Sequence, residues 1–125
     1  MPHLLVVEDD TNQRELYGQE FSDEGYQVTL TANGSEALNF LASSKPDLVV
    51  LDICMPGMDG MELLSHILAK DRLIPVVLNT AYSQYRENYL SWPANAYVVK
   101  SGDLTELKGK VRELLEIFKR QPSAV

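Results

Sequence analysis

The 125-residue sequence has a single cysteine, Cys54, so no internal disulfide can staple the fold. One lone thiol suits a reducing compartment, and the cytoplasm is the expected location. No apolar run approaches the about 20 residues that a membrane-spanning helix needs. The opening MPHLLVVEDD has no basic stretch and turns acidic at once, so neither a membrane span nor a secretory signal is expected. Basic residues are scarce, 11 against 18 acidic ones, for a net charge of -7. Gripping nucleic-acid phosphates draws mainly on lysine and arginine, so direct nucleic-acid binding is not expected. The densest basic stretch (Lys108, Lys110, Arg112, Lys119, Arg120) is interleaved with Glu106, Glu113 and Glu116 at helical spacing, the pattern of a solvated helix face. Repeats, linkers and low-complexity tracts are also missing. A single domain over residues 1–121, with a frayed tail at 122–125, is long enough to bury a core without metal or disulfide.

What the chain does have is a series of short apolar runs, each ending in a polar residue. Leu48, Val49, Val50 and Leu51 are four consecutive aliphatics followed by Asp52, which suits a strand buried on both faces of a parallel sheet. Met55, Pro56, Gly57, Met58, Asp59 and Gly60 then supply a sharp turn that leaves Asp52 at the strand's carboxyl end. Leu4 to Val7 is a similar run and ends in Glu8, Asp9 and Asp10; Pro75 to Leu78 ends in Asn79 and Thr80; Ala96 to Val99 ends in Lys100. Tyr26 to Leu30 is more polar and alternating, an edge strand.

Helical patterns separate these runs. Asp10 and Gln13 have the spacing of a capping box ahead of a helix that carries Leu16, Tyr17 and Phe21 inward until Gly25 stops it. Asn33 and Glu36 cap a helix with Ala37, Leu38 and Leu41 as its buried stripe, and Asp59 and Glu62 cap another with Met61, Leu64, Ile67 and Leu68. Tyr82 to Trp92 is a short aromatic helix closed by Pro93, and Asp103 with Glu106 opens the last one, whose stripe is Leu104, Leu107, Val111, Leu114, Leu115 and Phe118. Five alternations of strand and helix with short connections predict a doubly wound α/β fold with a parallel sheet. Ligands of such folds bind beyond the carboxyl ends of the strands, where the strand order reverses.

That is where Glu8, Asp9, Asp52, Thr80 and Lys100 collect. Neighbouring strands lie about 4.8 Å apart, so acids from the first and third strands can share a metal while Thr80 and Lys100 reach in from the fourth and fifth. Carboxylates this close resist ionising together without a cation. Magnesium is the natural one, because it prefers oxygen ligands and takes one or two carboxylates plus phosphate. Lysine and threonine then suit phosphate oxygens, and the whole suits phosphoryl transfer onto an aspartate.

From Pro2 to Arg120 the chain resembles the receiver domain of the response regulators of bacterial two-component signalling, through LLVVED at 4–9, DLVVLDICMPGMDG at 47–60, NTA at 79–81 and AYVVK at 96–100. The resemblance implies a flavodoxin-like five-stranded parallel sheet of order 2-1-3-4-5 with five helices. It implies that Asp52 accepts a phosphoryl group from a sensor histidine kinase or a phosphotransfer protein. Asp9 and Asp52 would bind Mg2+ directly, the Cys54 carbonyl would be a further ligand, and Glu8 would act through water. Lys100 would neutralise the phosphoryl group, Thr80 would move toward it, and Tyr97 would swing inward, altering a surface built from the fourth helix, fifth strand and fifth helix that a downstream protein or a second copy reads. Such a chain is no enzyme with an external substrate; it modifies itself and can lose the group by autophosphatase activity. Ser101 follows Lys100 where most relatives carry proline, so the resemblance does not extend to a cis peptide there. Two alternatives share these residues: a Mg2+-dependent aspartyl-phosphate phosphatase, which wants an acid where Cys54 stands, and a scaffolding receiver that is not phosphorylated. A flavin or nucleotide binder is disfavoured, because EDDTNQ after the first strand repels phosphate.

Overall fold

The structure, a computed structural model, describes residues 1–52, 60–71, 73–81 and 94–119. The helix expected over 82–92, the turn from Met55 to Asp59, and Cys54 lie outside these residues. Five strands, β1 (His3–Val7), β2 (Gln27–Thr31), β3 (Leu48–Leu51), β4 (Val76–Thr80) and β5 (Ala96–Val99), pair in parallel in the order β2-β1-β3-β4-β5. Four described helices, α1 (Thr11–Asp23), α2 (Gly34–Leu41), α3 (Gly60–Lys70) and α4 (Thr105–Lys119), connect or follow them. The expected strand order is therefore observed. Because β1 pairs with β2 on one side and with β3 on the other, the order reverses beside β1 and β3.

Strand alternation sorts the aliphatic runs into two cores. Leu5, Val7, Val49, Leu51, Val76, Leu78 and Tyr97 meet Ala37 and Leu41 of α2 and Leu63, Leu64 and Ile67 of α3. Leu4, Val6, Leu48, Val50, Val77, Ala96 and Val98 meet Tyr17 and Phe21 of α1 and Leu107, Val111 and Leu114 of α4. Full burial of a side chain such as Phe21 stabilises by about 1.5–3 kcal/mol.

Local chemistry sets the helix ends. Asp10 caps α1 by accepting the Gln13 N–H at 2.9 Å, as the spacing predicts, but the reciprocal arm comes from Glu8, whose Oε2 accepts the Asp10 N–H at 3.1 Å. Gly25, at φ 95°, closes the helix: its N–H reaches the Ser22 carbonyl and that of Tyr26 reaches the Phe21 carbonyl. The Tyr26 and Phe21 rings then pack at 6.2 Å, the apolar contact that accompanies this C-terminal motif. Tyr26 is thus spent on the helix end, and β2 runs from Gln27 to Thr31 rather than from Tyr26 to Leu30. Asn33 caps α2 through the Glu36 N–H, as expected.

Three expectations are corrected. Leu16 does not point inward; it is 40% exposed, because Tyr17 and Phe21, four apart, occupy the buried stripe and Leu16 lies about 100° round the helix from Tyr17. Leu63, absent from the expected stripe of α3, is fully buried beside Leu64. Asp103 does not cap through Glu106; its carboxylate accepts both the N–H and the hydroxyl of Thr105, at 2.9 and 2.6 Å. Between helices, Lys108 pairs with Glu20 at 2.8 Å and Arg112 with Glu24 at 3.3 Å. No described helix is long and apolar enough to cross a membrane.

Candidate functional site

The same alternation that fills the cores aims the polar residues. Glu8, Asp52 and Lys100 continue the even-numbered series of Leu4 and Val6, Leu48 and Val50, and Ala96 and Val98, so all three leave their strands toward the side of α1 and α4. Main-chain bonds hold the strand ends in step: Asp52 N–H reaches the Val7 carbonyl at 3.2 Å, and Lys100 N–H reaches that of Thr80 at 2.7 Å. Glu8 and Asp52 are nearly fully buried, and Asp9 is exposed. One oxygen from each of these three carboxylates lies within 4.8 Å of the others, a spacing that could hold a cation.

Lys100 bridges the two buried acids. Its Nζ stands 2.6 Å from Glu8 Oε1 and 2.8 Å from Asp52 Oδ2. Burial alone would lower the lysine's pKa, but the bonds to Asp52 and Glu8 outweigh it and hold the ammonium above its ordinary value. Burial pushes the Glu8 carboxyl upward, against the pull of Lys100 and of the Asp10 N–H. The crevice therefore keeps a positive charge between two buried acids, and that charge opposes the effect of burial on Glu8.

Thr80, fully buried, has the parity of Val76 and Leu78 and so faces the α2 and α3 side. Tyr97 lies on that side too, in register with Leu78, and only 5% of it is exposed. The structure thus brings together Glu8, Asp9, Asp52 and Lys100 as expected and places Thr80 and Tyr97 on the opposite side at the same end of the sheet. Cys54, expected to lend a carbonyl, lies outside the described residues. The Lys100–Ser101 peptide is not cis.

Two neighbours of the site were not picked out from the sequence. Arg14 donates from Nη1 to the Glu8 carbonyl at 2.9 Å and to the Asp9 carbonyl at 3.2 Å. A basic residue in the second turn of a helix opposes the helix dipole, and that mild misfit was a readable hint of a tertiary partner. Asn79, noted only as a strand end, donates from Nδ2 to the Tyr17 hydroxyl at 2.9 Å, tying α1 to the end of β4. The burial that buries this pair also raises the Tyr17 pKa. Nothing in the local sequence of either residue announces a partner 62 positions away.

Fold and crevice together define a flavodoxin-like α/β domain with a cation-suited acidic site at its topological switch point. The chain belongs to the response regulator receiver domain family, whose profile matches residues 4–112. It is 34% identical over 116 residues to sporulation initiation phosphotransferase F of Bacillus subtilis, covering 91% of this chain and 94% of that one. Among solved structures it is similar to TrrA of Thermotoga maritima in complex with Mg2+ and BeF, at 46% identity and a TM-score of 0.86, covering 91% of this chain and 99% of that one. TrrA in complex with the histidine kinase ThkA matches at 47% identity and a TM-score of 0.84, covering 92% and 99%. Further curated response regulators are matched over only about half of their length, 49% and 54% for two of them.

Proposed function

We propose that this receiver domain is a phosphorylation switch in which Asp52 accepts a phosphoryl group from a phosphohistidine of a sensor kinase or phosphotransfer protein. The observation that carries the reading is Lys100 Nζ held between Asp52 and Glu8 beside the exposed Asp9, three carboxylates and one cation in a single crevice. The complex of the similar protein TrrA with Mg2+ and BeF supports it, since beryllofluoride stands in for a tetrahedral phosphoryl group.

Asp9 and Asp52 are the residues that would hold Mg2+ directly, with Glu8 one water removed and the Cys54 carbonyl completing the protein's share. The donor set fits: all oxygen, partly solvated, and with more negative charge than Lys100 alone balances. When bound, the metal draws charge from the phosphoryl oxygens. A carboxylate oxygen of Asp52 attacks phosphorus, the P–N bond breaks, and the imidazole nitrogen leaves with the bonding pair and takes a proton. Lys100, already against Asp52 Oδ2, follows the charge onto the new acyl phosphate. Water later attacks phosphorus and the Asp52 carboxylate leaves with the P–O pair, so the only reactants are the phosphodonor and water.

Thr80 and Tyr97 carry the change outward. Thr80 turns its hydroxyl to the phosphoryl group, and Tyr97, which already packs inward here, responds to that move. New bonds at one end of the sheet then favour one arrangement of a surface that includes β5 and α4. A downstream protein or a second copy reads that surface, and the lone cysteine and acidic charge suit a cytoplasmic module. Intact mass after incubation with acetyl phosphate tests the switch. One added phosphoryl group that requires Mg2+ and is absent in Asp52→Asn is expected; uptake by the variant, or none by the wild type, would overturn the proposal.

A further inference from the structure

The acidic loop after β1 is held by one residue that no metal or phosphoryl chemistry requires. The N–H of Arg14 takes the Asp10 carbonyl at 2.9 Å, while Nη1 takes those of Glu8 and Asp9 at 2.9 and 3.2 Å. Nη2 reaches the Thr11 hydroxyl at 3.4 Å. Three consecutive carbonyls of the acidic triplet are therefore bound to a single arginine. None of the guanidinium's hydrogen bonds among the described residues goes to a carboxylate, although three lie in adjoining positions. The cation is spent on the main chain, and the Asp9 carboxylate is left for another ligand.

The three acids differ in what steers them. Glu8 is pinned at both oxygens, Oε1 by Lys100 and Oε2 by the Asp10 N–H. Asp10 is pinned by the Gln13 N–H. The exposed Asp9 carboxylate makes no hydrogen bond among the described residues, so its direction is set through the peptide planes on either side of it. Those planes carry the Glu8 and Asp9 carbonyls, the two that Arg14 Nη1 holds.

We propose that Arg14 is a positioning residue for the Mg2+ site, fixing the main chain of residues 8–10 so that the Asp9 carboxylate is aimed at the ion before the ion arrives. The assignment rests on the Mg2+ reading above. It makes a prediction of opposite sign to plain electrostatics. A guanidinium a few ångströms from a cation site repels the ion, so removing its charge alone tightens binding. Losing the clamp loosens it, because the loop must be ordered at the expense of binding, as with other outer-sphere partners whose loss weakens metal affinity by about 10–100-fold. Lysine keeps the charge but not the planar fork, which sets Nη1 on the two carbonyls while Nη2 reaches the Thr11 hydroxyl.

The test is a Mg2+ titration followed by the amide chemical shifts of residues 8–10 in the wild type, Arg14→Lys, Arg14→Gln and the remote Arg112→Gln. Binding about tenfold weaker in both Arg14 variants, with Arg112→Gln equal to wild type, is expected. Tighter binding in Arg14→Gln with unchanged binding in Arg14→Lys would show that Arg14 acts only by charge and would overturn the assignment, as would equal affinities throughout. Arg14→Lys decides the matter if Arg14→Gln does not fold. A wild type that binds no Mg2+ would overturn the proposed function itself, and this assignment with it.

Discussion

Replacing Lys100 by methionine keeps most of the side-chain volume and removes the one cation that Glu8 and Asp52 share. Both acids stay buried, at 1% and 6% exposure, with their Lys100 contacts of 2.6 and 2.8 Å gone. Removing one partner of a buried pair costs about 3–5 kcal/mol. The Lys100 side chain is 17% exposed at the mouth of a crevice, so solvent screens part of this and we expect about 2 kcal/mol in the absence of divalent ions. With a urea m-value of about 1.5 kcal/mol/M, the unfolding midpoint falls by about 1.3 M.

The pH dependence gives the cause. Lys100 is raised in the folded state above its ordinary 10.5, so its contribution is complete below that pH and is lost above it; the gap between wild type and variant should close on the alkaline side. Glu8 is raised above 4.5 and rises further without Lys100, so the folded variant holds more protons than its unfolded form and loses stability as pH climbs from about 4.5 toward neutrality. Mg2+ should bind the variant more tightly and stabilise it more than wild type. A midpoint within about 0.3 M of wild type at pH 7, or equal stabilisation of both proteins by Mg2+, would refute the reasoning.

Other outcomes follow from single contacts. Gly25→Ala places a Cβ at φ 95°, and a loss of about 1–2 kcal/mol in urea unfolding is expected with phosphorylation unchanged. Tyr17→Phe leaves the buried Asn79 amide without the hydroxyl it bonds at 2.9 Å and should cost about 1–2 kcal/mol in urea unfolding.

What could be read from the sequence was whatever depends on near neighbours. Runs of aliphatics gave β1, β3 and β4, and residues three apart gave the caps at Asp10 and Asn33. The site was legible for a topological reason: in a parallel sheet every strand ends on the same side, so Glu8, Asp52 and Lys100 had to converge once the strands were placed, whereas Thr80 reaches the same end of the sheet with the other parity. What could not be read depends on contacts far along the chain or on small rotations. Whether Leu16 or Leu63 faces the core is a matter of which helix stripe tertiary packing selects. Glu8 displacing Gln13 from the capping box reflects the pull of Lys100, 92 positions away, and the Tyr17–Asn79 bond joins elements that only the fold brings together.

The central claim is that the phosphoryl group goes onto Asp52. An acyl phosphate is reduced by borohydride to the alcohol, which converts a phosphorylated aspartate to homoserine and marks its position in a peptide mass spectrum. After phosphorylation with Mg2+ and acetyl phosphate, homoserine at position 52, and at neither 9 nor 10, is the predicted result. Homoserine at another acid, or a stable phosphoryl group that borohydride leaves untouched, would contradict the account.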